Sequence, residues 1–256
     1  MPKIDSSSLS ILASFDPIKP IKGESVIVTF TLQNNGDSPT PSGNLRLILL
    51  SENTIVIFTA DNGGMSASNQ YRGINHPRKR LDSRFASSNL PLRGAKGWNY
   101  EGGIRVPLIV HWPGKTKGNT ISHAMVTGTD FYPTLLEMLE LPTLPKQHVD
   151  GMSFLPALKG GDHDRGAIYW HFPHYSNHGY QSPGGAIRLG NYKLLEYYEN
   201  GSVQLFDLEN DLGEQNDLSK VKPAITAKLL KMLHDWRRQL DAKMPQPKAT
   251  ASAGSK

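Results

Sequence analysis

The stretch that most constrains what this chain can fold into is Thr54–Gly64, TIVIFTADNGG. Four apolar residues in a row, Ile55-Val56-Ile57-Phe58, lead to Asp61-Asn62 and two glycines. A continuous run of β-branched and aromatic residues predicts a strand buried on both faces, as in the middle of a mostly parallel sheet. The glycines permit a sharp turn and a close approach of backbone to a ligand. The carboxylate and the amide are hard oxygen donors at the carboxyl end of that strand, where an α/β sheet carries its chemistry. Such donors suit Ca²⁺ or Mg²⁺ rather than zinc. A strand closed by a plain D-N-G-G turn accounts for the same residues, and this stretch alone does not decide between the two.

Composition narrows the classes further. A length of 256 residues allows one large domain or a medium domain with appendages. With 38% hydrophobic and 20% charged residues, 24 glycines and 18 prolines, a packed core rich in loops is expected. The sequence has no cysteine, which excludes disulfides, Cys-ligated zinc and a cysteine nucleophile within it. A membrane span needs a run of about eighteen apolar residues, and none is present. The start, MPKIDSSSLSILASFD, lacks the apolar core of a signal peptide, so nothing in the chain itself directs it out of the cytoplasm. The net charge of +5 attracts anionic partners only weakly.

Residues 1–50 carry three β-like runs, Leu9–Phe15, Ser25–Leu32 and Asn44–Leu50. In the second, Val26, Val28, Phe30 and Leu32 alternate with Ser25, Ile27, Thr29 and Thr31, the period of a strand. GDSPTPSG between the second and third is turn chemistry. The segment is expected to be all-β and separate from the rest of the chain, with a composition shift near Ser51-Glu52. The polar stretch Met65–Leu90 contains Arg72, Arg78, Lys79, Arg80, Arg84 and His76. A solvated loop is one reading of it; a cationic wall for an anionic substrate is the other. Nucleic acid is disfavoured, because aromatic interleaving and a binding motif are lacking.

Leu92–Gly114, LRGAKGWNYEGGIRVPLIVHWPG, places Lys96 in a glycine-rich turn with Arg93, Arg105, Trp98 and Tyr100. Glycines around a lysine let its ammonium reach a compact anion. A second apolar strand, Val106–His111, stops at Pro113-Gly114. Taken together, these two stretches resemble the sulfatase family of the alkaline-phosphatase-like superfamily, specifically the arylsulfatase A-type enzymes. The resemblance continues through TDFYPTLLEMLELP, HVDGMSFLPALKG and AIRLGNYKLLEYYENGSVQLFDLENDLGEQNDLS, covering roughly residues 51–241. It implies that Asp61 and Asn62 ligate one divalent cation, usually calcium, and that Lys96 touches the sulfate. It implies a sulfate ester, aryl or carbohydrate, as substrate. Family members are usually secreted, periplasmic or lysosomal. A sulfuryl group gathers charge on its oxygens as the S–O bond breaks, and a cation and a lysine stabilise that charge.

Thr129-Asp130 is expected to cap a helix, FYPTLLEMLEL, with Asp130 as N-cap rather than catalytic acid. Further on, Ala167–Trp170, Ala186–Leu189, Tyr192–Tyr198 and Ser202–Asp207 read as a four-stranded antiparallel sheet. Gly190-Asn191 and Asn200-Gly201 are its hairpin turns. A helix over Pro223–Leu240 is predicted to pack on the sheet through Ile225, Leu229, Leu233, Trp236 and Leu240. The segment WHFPHYSNHGY holds His171, His174 and His178. Their spacing is not that of a preformed zinc pair. The resemblance puts His171 and His174 on a loop at the rim of the substrate site; a plain surface loop is the alternative.

The expected architecture is α/β. Residues 1–50 form the β-rich segment and 51–160 the C-terminal part of an alkaline-phosphatase-like catalytic domain with a mixed sheet. Residues 161–242 form a small subdomain and 243–256 a disordered tail. The family nucleophile is a formylglycine made from Cys or Ser in a C-x-P-x-R or S-x-P-x-R motif, and neither motif occurs in the sequence. The expectation is a sulfatase in truncated form, inactive by itself. A non-catalytic binder of sulfated glycans or other polyanions is the alternative.

Overall fold

The computed structural model describes residues 54–65, 89–175 and 181–246, together with strands over residues 9–15, 26–34 and 43–49. They fall into two compact units, residues 1–61 with 106–166 and residues 62–105 with 167–256. The described helices are α1 (Glu101–Ile104), α2 (Phe131–Met138), α3 (Leu155–Leu158) and α4 (Pro223–Gln239). None is long and apolar enough to cross a membrane.

In the first unit, β1 (Leu9–Phe15), β2 (Val26–Asn34) and β3 (Gly43–Leu49) form an antiparallel meander. Leu9 lies opposite Asn34, and Val26 opposite Leu49. The apolar run after Thr54 forms β4 (Val56–Thr59), which pairs with β5 (Leu108–His111). The pairing is antiparallel, with Val56 opposite His111 and Thr59 opposite Leu108. This corrects the expectation of a strand buried on both faces among parallel neighbours. Val56, Ile57 and Phe58 are half-buried and Thr59 is exposed. An apolar run records a demand for cover but neither the direction of the partner strand nor how many strands supply the cover.

Asp130 takes its predicted place at the N-cap of α2, but its side chain is used elsewhere. Its carboxylate makes no cap bond to α2. It is fully buried, and its Oδ2 accepts from the Thr127 N–H at 2.8 Å and from Arg165 Nε at 2.7 Å. Its Oδ1 accepts from the Met152 N–H at 2.9 Å. The preceding turn Gly128–Asp130 is itself helical with Thr127 as its N-cap, and the Asp130 carboxylate closes the capping box of that turn while anchoring Arg165.

The second unit is built on β6 (Ile168–Phe172), β7 (Gly184–Leu189), β8 (Tyr192–Tyr197) and β9 (Val203–Asp207), hydrogen-bonded in that order. All three pairings are antiparallel, as predicted. Gly190 takes φ 56° at the β7–β8 turn and Gly201 φ 67° between β8 and β9, a region where glycine alone is unstrained. Period-2 alternation sends Ile187, Leu194 and Leu205 to one face, where they bury against Leu229 and Leu233 of α4. Burying each such leucine contributes about 2 kcal/mol. Trp236 stacks on Tyr169 with ring centroids 4.9 Å apart. Leu240, predicted on this stripe, is exposed, because α4 ends at Gln239. Ala186, Leu195 and Phe206 face the other way and bury against Tyr100 and Leu208. The sheet is therefore covered on both sides, by α4 and by the glycine-rich turn that holds Lys96.

Candidate functional site

The turn around Lys96 is shaped by glycines for a visible reason. Gly94 and Gly97 take φ 76° and 90°. The Lys96 N–H donates to the Gly64 carbonyl at 3.1 Å, and the Gly63 N–H donates to the Gly103 carbonyl at 2.9 Å. The Gly102 N–H donates to the Arg93 carbonyl at 2.7 Å. A Cβ on Gly63 would fall on the Gly102 carbonyl, and one on Gly103 would fall on the Trp98 carbonyl. A Cβ on Gly102 would sit 2.6 Å from the Arg93 carbonyl. Three backbones thus touch without side chains between them: Asn62-Gly63-Gly64, Arg93–Trp98 and α1. The predicted ligand Asn62 and the predicted sulfate contact Lys96 lie on two of them. Asn89 adds a brace, its Nδ2 donating to the Gly64 carbonyl at 2.9 Å.

A buried charge cluster pins this assembly to the sheet. Lys193 on β8 is fully buried and lies 3.0 Å from Glu101 Oε1 and 2.9 Å from Glu214 Oε1. Glu214 Oε2 accepts from the Glu101 N–H at 2.7 Å. Arg188 reaches Glu101 Oε2 at 3.4 Å and Arg105 reaches it at 3.6 Å. Arg93 donates to the Glu214 carbonyl at 2.7 Å and places its guanidinium 4.0 Å from the centre of the Tyr100 ring. Burial pushes the Glu214 carboxyl above its ordinary value, while Lys193 and the Glu101 N–H pull it back. These contacts fix the two ends of the Lys96 turn, at Arg93 and at Glu101. None of the four acidic and basic members at its centre, Glu101, Arg188, Lys193 and Glu214, was singled out from the sequence. The signal that could have found them is Lys193 in YKLLEY, a charge in register with Leu195 on an inward face.

Comparison with known proteins settles what this arrangement is related to. The C-terminal family model of N-sulphoglucosamine sulphohydrolase matches residues 95–241, and the sulfatase model matches residues 47–141. The chain belongs to the sulfatase family. A sulfatase of Formosa agariphila is 32% identical over 243 residues, covering 85% of this chain and 39% of that protein. Human arylsulfatase A is 31% identical over 234 residues, covering 81% of this chain and 41% of that protein. The chain therefore spans about two fifths of the length of these curated relatives. Among solved structures, Ps i-CgsB in complex with k-i-k-neocarrahexaose matches with a TM-score of 0.58 at 27% identity. That match covers 77% of this chain and 39% of the other.

The other predicted residues of this sulfatase-family chain differ in exposure. Asp61 is exposed, directly before the half-buried Asn62. His171, on β6, lines a cleft of about 220 Å³ with Gly97 and Trp98 of the Lys96 turn. Its Nε2 lies 2.9 Å from the Lys243 carbonyl, which fixes the proton there, and its Nδ1 lies 2.7 Å from the Tyr198 hydroxyl. Burial raises the pKa of that hydroxyl, so it stays a donor. His174 is exposed, with its ring edge-on to Phe172 at 5.8 Å. His178, His76 and the arginines and lysine of residues 72–84 lie outside the described residues. Among the described residues, no three of His, Asp and Glu cluster as a metal site.

Proposed function

We propose that this chain recognises the sulfuryl group of a sulfate ester through Lys96, with Asp61 and Asn62 as two of the ligands of a divalent cation, calcium in the first instance. The reading is supported chiefly by the backbone contact of Lys96 with Gly64, which keeps the lysine beside the Asn62-Gly63-Gly64 segment in one rigid junction. Both side chains offer hard oxygen atoms, the donor type that calcium takes. They are two of the roughly six to eight oxygens it needs, so the remaining ligands come from elsewhere. The cation, when bound, would withdraw charge from the ester oxygens. Lys96 would add a charge-assisted hydrogen bond. His171 and His174 stand as candidate rim contacts to the substrate. Residues 51–160 are assigned to the C-terminal part of a catalytic domain and 161–242 to the small subdomain. The complex of Ps i-CgsB with neocarrahexaose favours a sulfated glycan over an aryl ester as the molecule presented.

The same reading holds that these 256 residues bind the ester without cleaving it. They contain neither cysteine nor an S-x-P-x-R run, so they carry no precursor of the formylglycine nucleophile. The experiment is calorimetric titration of the purified chain with inorganic sulfate and with calcium, beside an assay on a chromogenic aryl sulfate. Saturable sulfate binding weakened roughly tenfold or more by Lys96→Ala is expected, with no turnover above buffer. Sulfate binding indifferent to Lys96→Ala refutes the assignment of the lysine. Turnover refutes the claim of a non-catalytic binder.

A further inference from the structure

The end of α4 carries a charge where its pattern calls for an apolar side chain. Leu229, Leu233 and Arg237 follow one another at intervals of four, and all three are buried, Arg237 to 8% exposure. The Arg237 guanidinium lies 4.9 Å from the centre of the Tyr198 ring, and its Nη2 lies 2.9 Å from Glu196 Oε2. The other carboxylate oxygen of Glu196 is taken by His234 Nε2 at 2.9 Å. Arg237 Nη1 is buried and has no hydrogen-bond partner among the described residues. An apolar pair in place of a buried ion pair is often as stable or more so, and folding alone therefore gives no reason for a half-used guanidinium at this position. A buried donor left without an acceptor is unfavourable in its own right.

Arg237 lines a hollow of about 400 Å³ together with His234, Arg238, Asp241, Ala242 and Met244. The carbonyls at the helix end do not compete for its guanidinium: those of Trp236, Arg237 and Arg238 accept from the N–H groups of Leu240, Ala242 and Asp241. The volume falls within the roughly 300–1,000 Å³ of small-molecule sites and exceeds what an inorganic oxyanion fills. Ala242 and Met244 give the hollow an apolar side, and a thioether packs well on a ring. Arg238 is paired with Asp235, and Asp241 with Lys243. The Asp241 carboxylate in the lining still disfavours an anion of more than one charge. We propose that this hollow is a ligand site that does not depend on Lys96, and that it takes a small organic monocarboxylate with an apolar, ring-sized body. The carboxylate accepts from Arg237 Nη1, and the body lies against Ala242 and Met244. A guanidinium fork is the side chain best matched to a carboxylate.

The test follows the Ala242 and Met244 amide signals of the full chain by nuclear magnetic resonance. Phenylacetate, phenylacetamide or inorganic sulfate is added at equal ionic strength. Phenylacetate should shift both signals saturably. Phenylacetamide has the body without the charge and sulfate the charge without the body, and each should bind roughly tenfold or more weakly. Replacing Arg237 alone strands the Glu196 carboxylate, so the informative variant is Arg237→Met with Glu196→Leu, which removes both charges together. It should keep the circular dichroism of the unaltered chain and weaken phenylacetate binding roughly tenfold or more. Ala242→Leu keeps the ion pair and fills the hollow; it should weaken binding as well, and it serves alone where the double variant does not fold. Lys96→Ala should leave phenylacetate binding unchanged, whatever it does to sulfate. The proposal is overturned by equal shifts from sulfate and phenylacetate, by phenylacetate binding that survives the folded variants or is lost with Lys96, or by no saturable shift in the unaltered chain.

Discussion

The β4–β5 pair and the β6–β9 sheet are both made of short antiparallel strands, yet they treat their side chains in opposite ways. Ile187, Leu194 and Leu205 are fully buried in the second. Every residue of β5 is only half-buried, and β4 ends exposed. The unit that holds β4 and β5 also exposes Leu139, Leu141, Leu144, Val149 and Met152. The larger sheet is covered on one face by α4 and on the other by the Lys96 turn, whose Glu101 is paired with Lys193 and Arg188 of the same unit. The difference teaches where rigidity resides. The turn that carries the proposed sulfate contact packs on a fully buried core, while the strand leading to Asp61 is half-buried.

The buried cluster gives the largest expected effect. Lys193→Met should leave Glu101 and Glu214 facing each other without their shared cation. Removing one partner of a buried ion pair destabilises by about 3–5 kcal/mol. Denaturant melts followed by the near-ultraviolet signal of the β6–β9 unit should show that loss. A change under about 1 kcal/mol would mean that the cluster is a passenger, and the contrast between the two regions would fail.

Next come paired truncations in the two regions. Leu233→Ala removes a fully buried side chain and should cost about 2–5 kcal/mol. Ile109→Ala, on the half-buried β5, removes less covered surface and should cost about 1 kcal/mol. Equal costs in the same melt would break the comparison, since β5 would then be as well covered as the larger sheet.

Glycine replacements sharpen it at the junction. Gly103→Ala drives a methyl into the Trp98 and Ala95 carbonyls and should cost about 1–3 kcal/mol or shift the backbone. Gly128→Ala, where an added Cβ meets nothing within 4 Å, should be close to neutral. Amide hydrogen exchange at Lys96 and Gly63 would report the loosened junction directly in the first variant and no change in the second.

The sheet, its two glycine turns and α4 were legible because periodicity 2, periodicity 3.6 and positive-φ residues are local signals. The crowding of Gly63, Gly102 and Gly103 was half legible. Glycine-rich spelling announces close approach, but not which backbones meet. The charge cluster was not legible, because Glu101 and Glu214 stand 113 residues apart and each reads alone as a surface residue. Asp130 was legible only in its place at the N-cap, for a related reason. Its sequence position before a helix suits a cap, while its actual partner, Arg165, is 35 residues away. The direction of β4 was hidden because an apolar run is the same whichever way its neighbour points.

The smallest effect is a pH dependence with an unusual sign. Burial raises the Glu214 carboxyl above its ordinary 4.5, with Lys193 pulling the other way. A raised folded-state value means that the native state binds the proton more tightly than the unfolded chain does. The contribution of this group to stability therefore falls as pH rises from 4.5 through the elevated value, and it is regained on acidification. Asp235 behaves oppositely. Its hydrogen bond from Lys231 holds it below 3.8, so its contribution is lost only at still lower pH. As the pH falls toward 4.5, above the range in which Asp235 titrates, the Glu214 effect is thus separable from ordinary acid loss. Glu214→Gln removes the titration. Over that window the unaltered chain should gain stability relative to the variant in parallel urea melts. A relative loss would mean that Lys193 outweighs burial, and that the cluster binds the Lys96 turn through a fully ionised triad.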